Sequence, residues 1–420
     1  MANVDPVKTV VLGVQMLFVA FGALVLVPIL TGLSPCIALF TAGAGTLLFH
    51  AITGGIVPIF LASSFAFIVP IQYGMEHFGV GATLGALACT GLVYALISAG
   101  VRAGGIGTIN RFLPPIVTGP VIMVIGLQLA PVGVRMARSF DGSGTMNNWA
   151  MAVSSVSLIT AILVAIYGRR LLRLIPVLSG IVVGYLFAWI CGFVDFTPIR
   201  DAAWLEIPWR RAAASGSFAM PSFDVAAILY MLPVAIAPVI EHVGDILAIS
   251  AVTGNDYLKK PGLHRTLLGD GLATSLAALL GGPPNTTYSE VTGAVALTRA
   301  TDPRYMRVAA VTAILLSFVG KLSAILKTIP TPVIGGIMVL LFGMIAAIGI
   351  SSMIRAQVDM GKSRNLVIVS VILVVGIGNM AVCCGRITIS GIGLSGIVGV
   401  LLNLVLPDNP PAPDANTPTP

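Results

Sequence analysis

The chain has 420 residues, of which 57% are hydrophobic and 9% charged, with a mean hydropathy of +1.00 and a formal net charge of +7. A soluble globular chain carries about 25% charged residues, so this composition excludes a soluble domain and specifies an integral membrane protein. The basic residues are dispersed among loops and not gathered on one face, so the positive charge is no nucleic-acid signal.

A span needs about 20 apolar residues, which leaves room for about fourteen. In chain order the apolar runs predict spans near 9–30, 35–53, 57–75, 80–101, 113–134, 150–168, 172–193, 224–252, 267–282, 285–299, 305–325, 330–349, 364–381 and 388–407. The first run, Val10 to Leu30, is long enough to span and no cleavage site follows it, so it does not read as a signal peptide. Of the 23 Lys and Arg residues, Lys321 falls inside a span. Seven (Arg135, Arg138, Arg200, Arg210, Arg211, Lys327 and Arg386) fall on one side of the membrane and fifteen on the other. The positive-inside rule then puts both termini in the cytoplasm. The longest polar segment, Asp195 to Asp224, becomes an external loop between two sets of seven spans, and the Pro- and Asp-rich tail over 408–420 reads as disordered. The cysteines Cys36, Cys89, Cys191, Cys383 and Cys384 lack metal-ligand spacing and read mostly as small core residues.

Two runs break this pattern. Residues 62–70, Ala-Ser-Ser-Phe-Ala-Phe-Ile-Val-Pro, interrupt the third span. Gly281 to Arg299 opens with Gly-Gly-Pro-Pro-Asn-Thr-Thr-Tyr-Ser-Glu in the third span of the second half. Two successive prolines remove two N–H donors and forbid a regular helix across them. Irregular backbone survives at membrane depth only when buried in protein or lining a cavity. An odd number of spans per half inverts the second half relative to the first, and paired interruptions in inverted halves point to a midplane transporter site. Residues 65–69 and 286–289 are therefore expected to be extended and to face each other across a central cavity.

Four carboxylates lie within the predicted spans: Glu241 and Asp245, four apart on one helix face, then Asp270 and Glu290. Each costs several kcal/mol at that depth when ionised and unpaired. Lys321 is the one candidate internal cation and cannot neutralise all four, so some must bind protons or an N–H-donating ligand. His242 points away from Glu241 around the helix and reads as structural. The four histidines (His50, His77, His242 and His264) are scattered, and no metal cluster or nucleophilic triad is visible, which argues against an enzyme. Weaker motifs have bland readings. The Gly-Gly-Ile-Gly run at 104–107 lacks strand–helix context for a dinucleotide, and Gly391, Ser395 and Gly399 suit close helix packing.

The phrases Gln15 to Pro28, Ser63-Ser64-Phe65-Ala66-Phe67, Glu241-His242-Val243-Gly244, Pro284-Asn285-Thr286-Thr287-Tyr288 and Gly293 followed by Thr298-Arg299 resemble the nucleobase–ascorbate transporter family, over about residues 8 to 405. The resemblance implies an all-α membrane protein of fourteen transmembrane segments in two inverted seven-span repeats, with short antiparallel β-strands in broken spans 3 and 10. It implies a core domain of residues 1–112 and 224–328, a gate domain of 113–223 and 329–407, and a homodimer in the bacterial inner membrane. It further implies that Glu241 and Glu290 accept the ring N–H groups of a nucleobase, that the amides of Phe65 and Ser289 donate to its carbonyls, and that Ala23, Tyr288 and Phe342 form apolar walls. Glu241, Asp245 and Asp270 become candidates for proton coupling, with protons as the coupling ion and no cofactor. Departures from the family pattern are Met16 after Gln15, Val291 after Glu290, and Ser289 in place of a glycine. Asp245 and Asp270 resemble purine-transporting members, yet Glu290 favours uracil over xanthine or uric acid. An anion transporter of the same fold is disfavoured, because an anion site avoids two glutamates.

Overall fold

The computed structural model describes residues 6–105, 107, 112–169, 172–384 and 387–407. The tail over 408–420 and three of the counted basic residues, Arg111, Arg170 and Arg386, lie outside these.

Long apolar runs become long helices, even across Pro28, Pro120 and Pro131. They are α1 (Pro6–Thr31), α2 (Pro35–Ile52), α4 (Gly79–Gly104), α5 (Pro115–Arg138), α6 (Asn148–Tyr167) and, later in the chain, α16 (Thr331–Arg355). At 1.5 Å per residue α1 rises about 39 Å, enough to cross a hydrocarbon core of about 30 Å. With the continuous stretch Val225–Thr253, seven helices among the described residues are long and apolar enough to cross a membrane. Three shorter apolar helices join them: α7 (Pro176–Ile190), α17 (Ser363–Ile377) and α18 (Gly391–Val405). Prolines shape the stretch from Val225. Helix α10 (Val225–Met231) tightens into a 3-10 turn at Leu232–Ala235, where Pro233 has no N–H to give, and resumes as α11 (Ile236–Thr253).

The two interrupted runs meet. Strand β1 (Leu61–Ser63) pairs antiparallel with β2 (Asn285–Thr287), in the register Leu61 to Thr287, Ala62 to Thr286 and Ser63 to Asn285. The Ser64 amide extends the ladder to the Pro284 carbonyl at 2.9 Å. Each strand runs into a helix. A 3-10 turn (Phe65–Phe67) and α3 (Ile68–His77) follow β1, and α13 (Ser289–Thr298) follows β2. This corrects the expectation of extended backbone at 65–69: the extended residues come earlier, and they bond directly to the second strand instead of facing it across a gap. The reason is in the sequence. Val57-Pro58 holds the approach to β1 extended, whereas no proline interrupts 65–69 and the chain is free to coil.

Helix α12 (Leu263–Leu279) packs against α4 and α2, and α14 (Pro303–Ser317) against α2 and α1. Elsewhere α16 packs along α5 and α6, while α17 and α18 pack on each other and on α5. Small residues let the backbones approach: a Cβ at Gly126 of α5 would come within 2.4 Å of the Phe342 carbonyl on α16.

Two further expectations need correction. The span predicted over 305–325 is two helices, α14 and α15 (Gly320–Lys327), divided at Phe318–Val319. The polar segment 195–224 docks there, with the Glu206 amide bonded to the Phe318 carbonyl and the Gly320 amide to the Trp204 carbonyl. A Cβ at Gly320 would meet the Ala203 carbonyl at 2.4 Å, so only glycine permits this approach. That segment also folds into two short helices, α8 (Thr197–Asp201) and α9 (Pro208–Ala214). The second correction concerns the last predicted span, which begins at Gly391. It is preceded by a hairpin of β3 (Ala381–Cys384) and β4 (Ile387–Ser390).

Candidate functional site

The strand pair carries hydroxyls into the protein interior, and the acids gather around it. Thr287 is fully buried, and its hydroxyl donates to Asp245 Oδ2 at 2.8 Å. The Ser289 hydroxyl donates to the other oxygen, Asp245 Oδ1. Asp245 is thus clamped by hydroxyls from either side of Tyr288, which fixes the turn from β2 into α13. Beneath it, His242 Nδ1 lies 3.3 Å from Thr287 Oγ1 and 3.4 Å from Asp270 Oδ2, and the Thr286 hydroxyl donates to Asp270 Oδ2 at 3.2 Å. The Tyr94 hydroxyl faces Thr274 and Thr286 from α4. Asn285 locks the outer end of β2: its side-chain amide donates to the Thr41 carbonyl at 2.8 Å, and its own carbonyl accepts the Thr274 hydroxyl at 2.5 Å.

Glu241 and Glu290 differ from the other two acids. Asp245 and Asp270 are buried, whereas both glutamates sit deep in the protein yet keep partial accessibility. Glu241 lies within electrostatic reach of Asp245, Glu290 and Asp270, so the fold brings all four carboxyls together. No donor among the described residues engages the Glu241 carboxyl. The Tyr288 hydroxyl faces the Glu290 carboxyl and the Ala23 backbone, which places Ala23 beside the same acid. The Phe65 ring stands 6.5 Å from that of Tyr288 and edge-on to Phe342 at 6.1 Å. All seven residues expected to surround a ligand therefore converge.

Phe65 and Ser289 are each the first residue of a helical segment. The first N–H groups of a helix have no intrahelical partner and carry its positive end. The site thus combines two carboxylates, two helix-start amides and three aromatic rings. Chemically it can complement a flat ring that alternates N–H donors with carbonyl acceptors.

Lys321 does not belong to it. Its ammonium donates to the Ile199 and Arg200 carbonyls at 2.5 and 3.0 Å and lies 6.0 Å from the Trp204 ring, at the polar segment 195–224. The internal acids consequently have no Lys or Arg partner among the described residues. Sequence reasoning missed His242, Tyr94, Thr286 and Thr287 as a connected network. The hydroxyl block was visible, but which helix it faced was not. The Ser289 side chain, which stands in place of a glycine, is turned onto Asp245.

A family model described as "Permease family" matches residues 7–384. A probable uracil permease of Haemophilus influenzae is 54% identical over 405 residues, covering 96% of each chain. A uracil permease of Bacillus caldolyticus is 46% identical over 411 residues, covering 96% of this chain and 93% of the relative. Among solved structures, the transmembrane domain of the cyanobacterial bicarbonate transporter BicA superposes with a TM-score of 0.63 at 15% identity, covering 96% of this chain and 98% of that one, a likeness of fold alone. With the apolar helices that cross a membrane several times and a family match over nearly its whole length, the chain belongs to the nucleobase–ascorbate transporter family of permeases.

Proposed function

We propose that this protein is a proton-coupled nucleobase symporter that imports uracil across the bacterial inner membrane. The observation that carries the reading is the convergence of the Glu241 and Glu290 carboxyls with the helix-start amides of Phe65 and Ser289 around the Phe65–Tyr288–Phe342 rings. Uracil alternates two N–H groups with two carbonyls along one side of its ring. The N–H groups donate to the carboxylates, the carbonyls accept from the amides, and the rings cover its faces. The names of the relatives at 54% and 46% identity point to the same substrate.

Proton coupling follows from the charges. An ionised carboxylate facing an apolar path costs several kcal/mol unless neutralised. Asp245 already accepts two hydroxyl hydrogen bonds and serves as the fixed acceptor. Glu241, four residues away and without a protein donor, is the proton carrier. Asp270, beside His242, is the reserve site that adjusts the charge beneath the strands. Fourteen segments in two inverted repeats, a core domain that carries both strands, a gate domain, a homodimer and cytoplasmic termini complete the proposal. The rival of the same fold, an anion carrier, is opposed by four converging carboxyls.

Competition against labelled uracil uptake tests the reading. Unlabelled uracil should compete best, and Glu290→Gln should abolish uracil transport, because an amide presents a donor where the ring also presents one. Xanthine or uric acid outcompeting uracil would overturn the substrate assignment and leave a purine symporter.

A further inference from the structure

A cleft of about 280 Å³ opens between α4, the start of α11 and α18, and none of the four acids lines it. Its walls are wholly apolar, with Ile97, Gly100 and Val101 on one side and Ile236 and Val400 on others. Water occupies roughly 30 Å³ per molecule in the liquid and needs polar partners, so an apolar space of this size is not filled by water. In a bilayer the filler at hand is hydrocarbon.

The unpaired charges beside the cleft are basic. Arg102 follows Val101 on α4 and is exposed, as are Lys260 and Arg265 on the segment packed against it. The Ser98 hydroxyl donates to the His264 carbonyl at 2.6 Å, which holds Arg265 against the end of α4, and the His264 ring lies within electrostatic reach of both arginines. Lys259 is paired with Asp256 at 3.1 Å, but Arg102, Lys260 and Arg265 have no acidic partner among the described residues. Basic side chains beside a gap between spans recognise anionic headgroups.

We infer that this cleft, with Arg102, Lys260 and Arg265 at its mouth, is a binding site for an anionic phospholipid whose acyl chain lies between α4, α11 and α18. The lipid wedges elements from distant parts of the chain and holds them at their present spacing.

Gly100 supplies the test, since a Cβ there meets nothing within 4 Å. A large side chain at this position fills the cleft without touching the acids. The full-length protein is stripped of lipid and titrated with phosphatidylglycerol or phosphatidylcholine of identical chains, with retained lipid counted by native mass spectrometry. The wild type should retain phosphatidylglycerol in preference. Gly100→Phe should lose the retained lipid of either kind. Arg102→Gln with Arg265→Gln should lower the preference roughly tenfold or more, since each basic side chain contributes about fivefold against an anionic surface. In parallel, phosphatidylglycerol with a photoreactive tail should cross-link wild-type peptides carrying Ile97 and Val400, a readout independent of whether any variant folds. Equal retention of the two lipids, unchanged retention in Gly100→Phe, or cross-links confined to other peptides would overturn the inference.

Discussion

Thr287→Val removes one hydroxyl from the centre of the network and changes almost nothing else. The residue is fully buried, and valine keeps its shape and strand preference. What is lost is the 2.8 Å bond to Asp245 Oδ2 and the 3.3 Å contact with His242 Nδ1. A hydrogen bond to a charged group contributes about 1.5–3 kcal/mol, and the acceptor left behind is buried without a replacement. Asp245 would then be held only by Ser289, one residue before Glu290. If the clamp positions the start of α13, part of that energy appears as weaker ligand binding. At 1.4 kcal/mol per decade the full loss corresponds to roughly ten- to a hundredfold. Equilibrium binding of labelled uracil to purified protein, read beside thermal unfolding in the same detergent, measures both parts. Ser289→Ala should weaken binding comparably, and the double variant should fall short of the sum, because the two hydroxyls serve one carboxylate. Uracil affinity within twofold of wild type in Thr287→Val, with unchanged unfolding, would refute the reasoning.

Other substitutions probe separate links. Glu241→Gln should retain measurable uracil binding but lose accumulation against a gradient, checked by counterflow and uptake into energised vesicles with and without a protonophore. Gly45→Ala places a Cβ 2.7 Å from Asn285 Nδ2 and 3.2 Å from the Ala273 Cβ, so it should displace Asn285 from Thr41 and lower the thermal midpoint by several degrees. Asp302→Ala removes the cap of α14, where Asp302 accepts the Arg304 amide at 2.9 Å, and should cost about 1 kcal/mol of stability. The hydrogen bond and charge of Arg304 hold the Asp302 carboxyl below the usual carboxylate range. Its contribution is therefore present above about pH 4, the unfolded-state value. It is lost as pH falls through the depressed folded value, and the wild-type and Asp302→Ala unfolding curves should converge there.

The sequence made the long spans legible because a hydrocarbon slab imposes one requirement, length and apolarity, that composition alone can meet. The limits of α1, α2 and α6 fall within a few residues of those expected. The two interrupted runs were legible for the converse reason: the prolines and hydroxyls of 281–290 have no place in a lipid-facing helix. What escaped was anything settled by a distant partner. The break at Phe318–Val319 depends on residues 203–206 docking there, and Lys321 reads as a lone intramembrane cation until that docking ties it to the Ile199 carbonyl. The position of β1 depends on Asn285 to Thr287 being opposite, and β3 and β4 define each other. His242 illustrates the limit most clearly. It reads as structural from its own helix, and nothing in its neighbours told that Asp270 and Thr287 lie beside it.

The β1–β2 ladder also sets a timetable for biogenesis. Its partners stand more than 220 residues apart, Leu61 opposite Thr287. A ribosome adding about 5–20 residues per second therefore needs roughly 10–45 s after the first strand is made before the second exists. During that interval the first strand is already between inserted helices, and only the Leu61 amide has a local acceptor, the Thr46 hydroxyl at 3.0 Å. Unpaired backbone is not tolerated against lipid. The nascent first half must consequently keep this stretch near the membrane surface, under the insertion machinery, or hydrated, until residues 285–287 arrive to close the ladder. Assembly of the centre is thus a late, post-insertion event, and a chain truncated before Asn285 would be exposed to quality control through its unclosed third span even with every earlier helix in place.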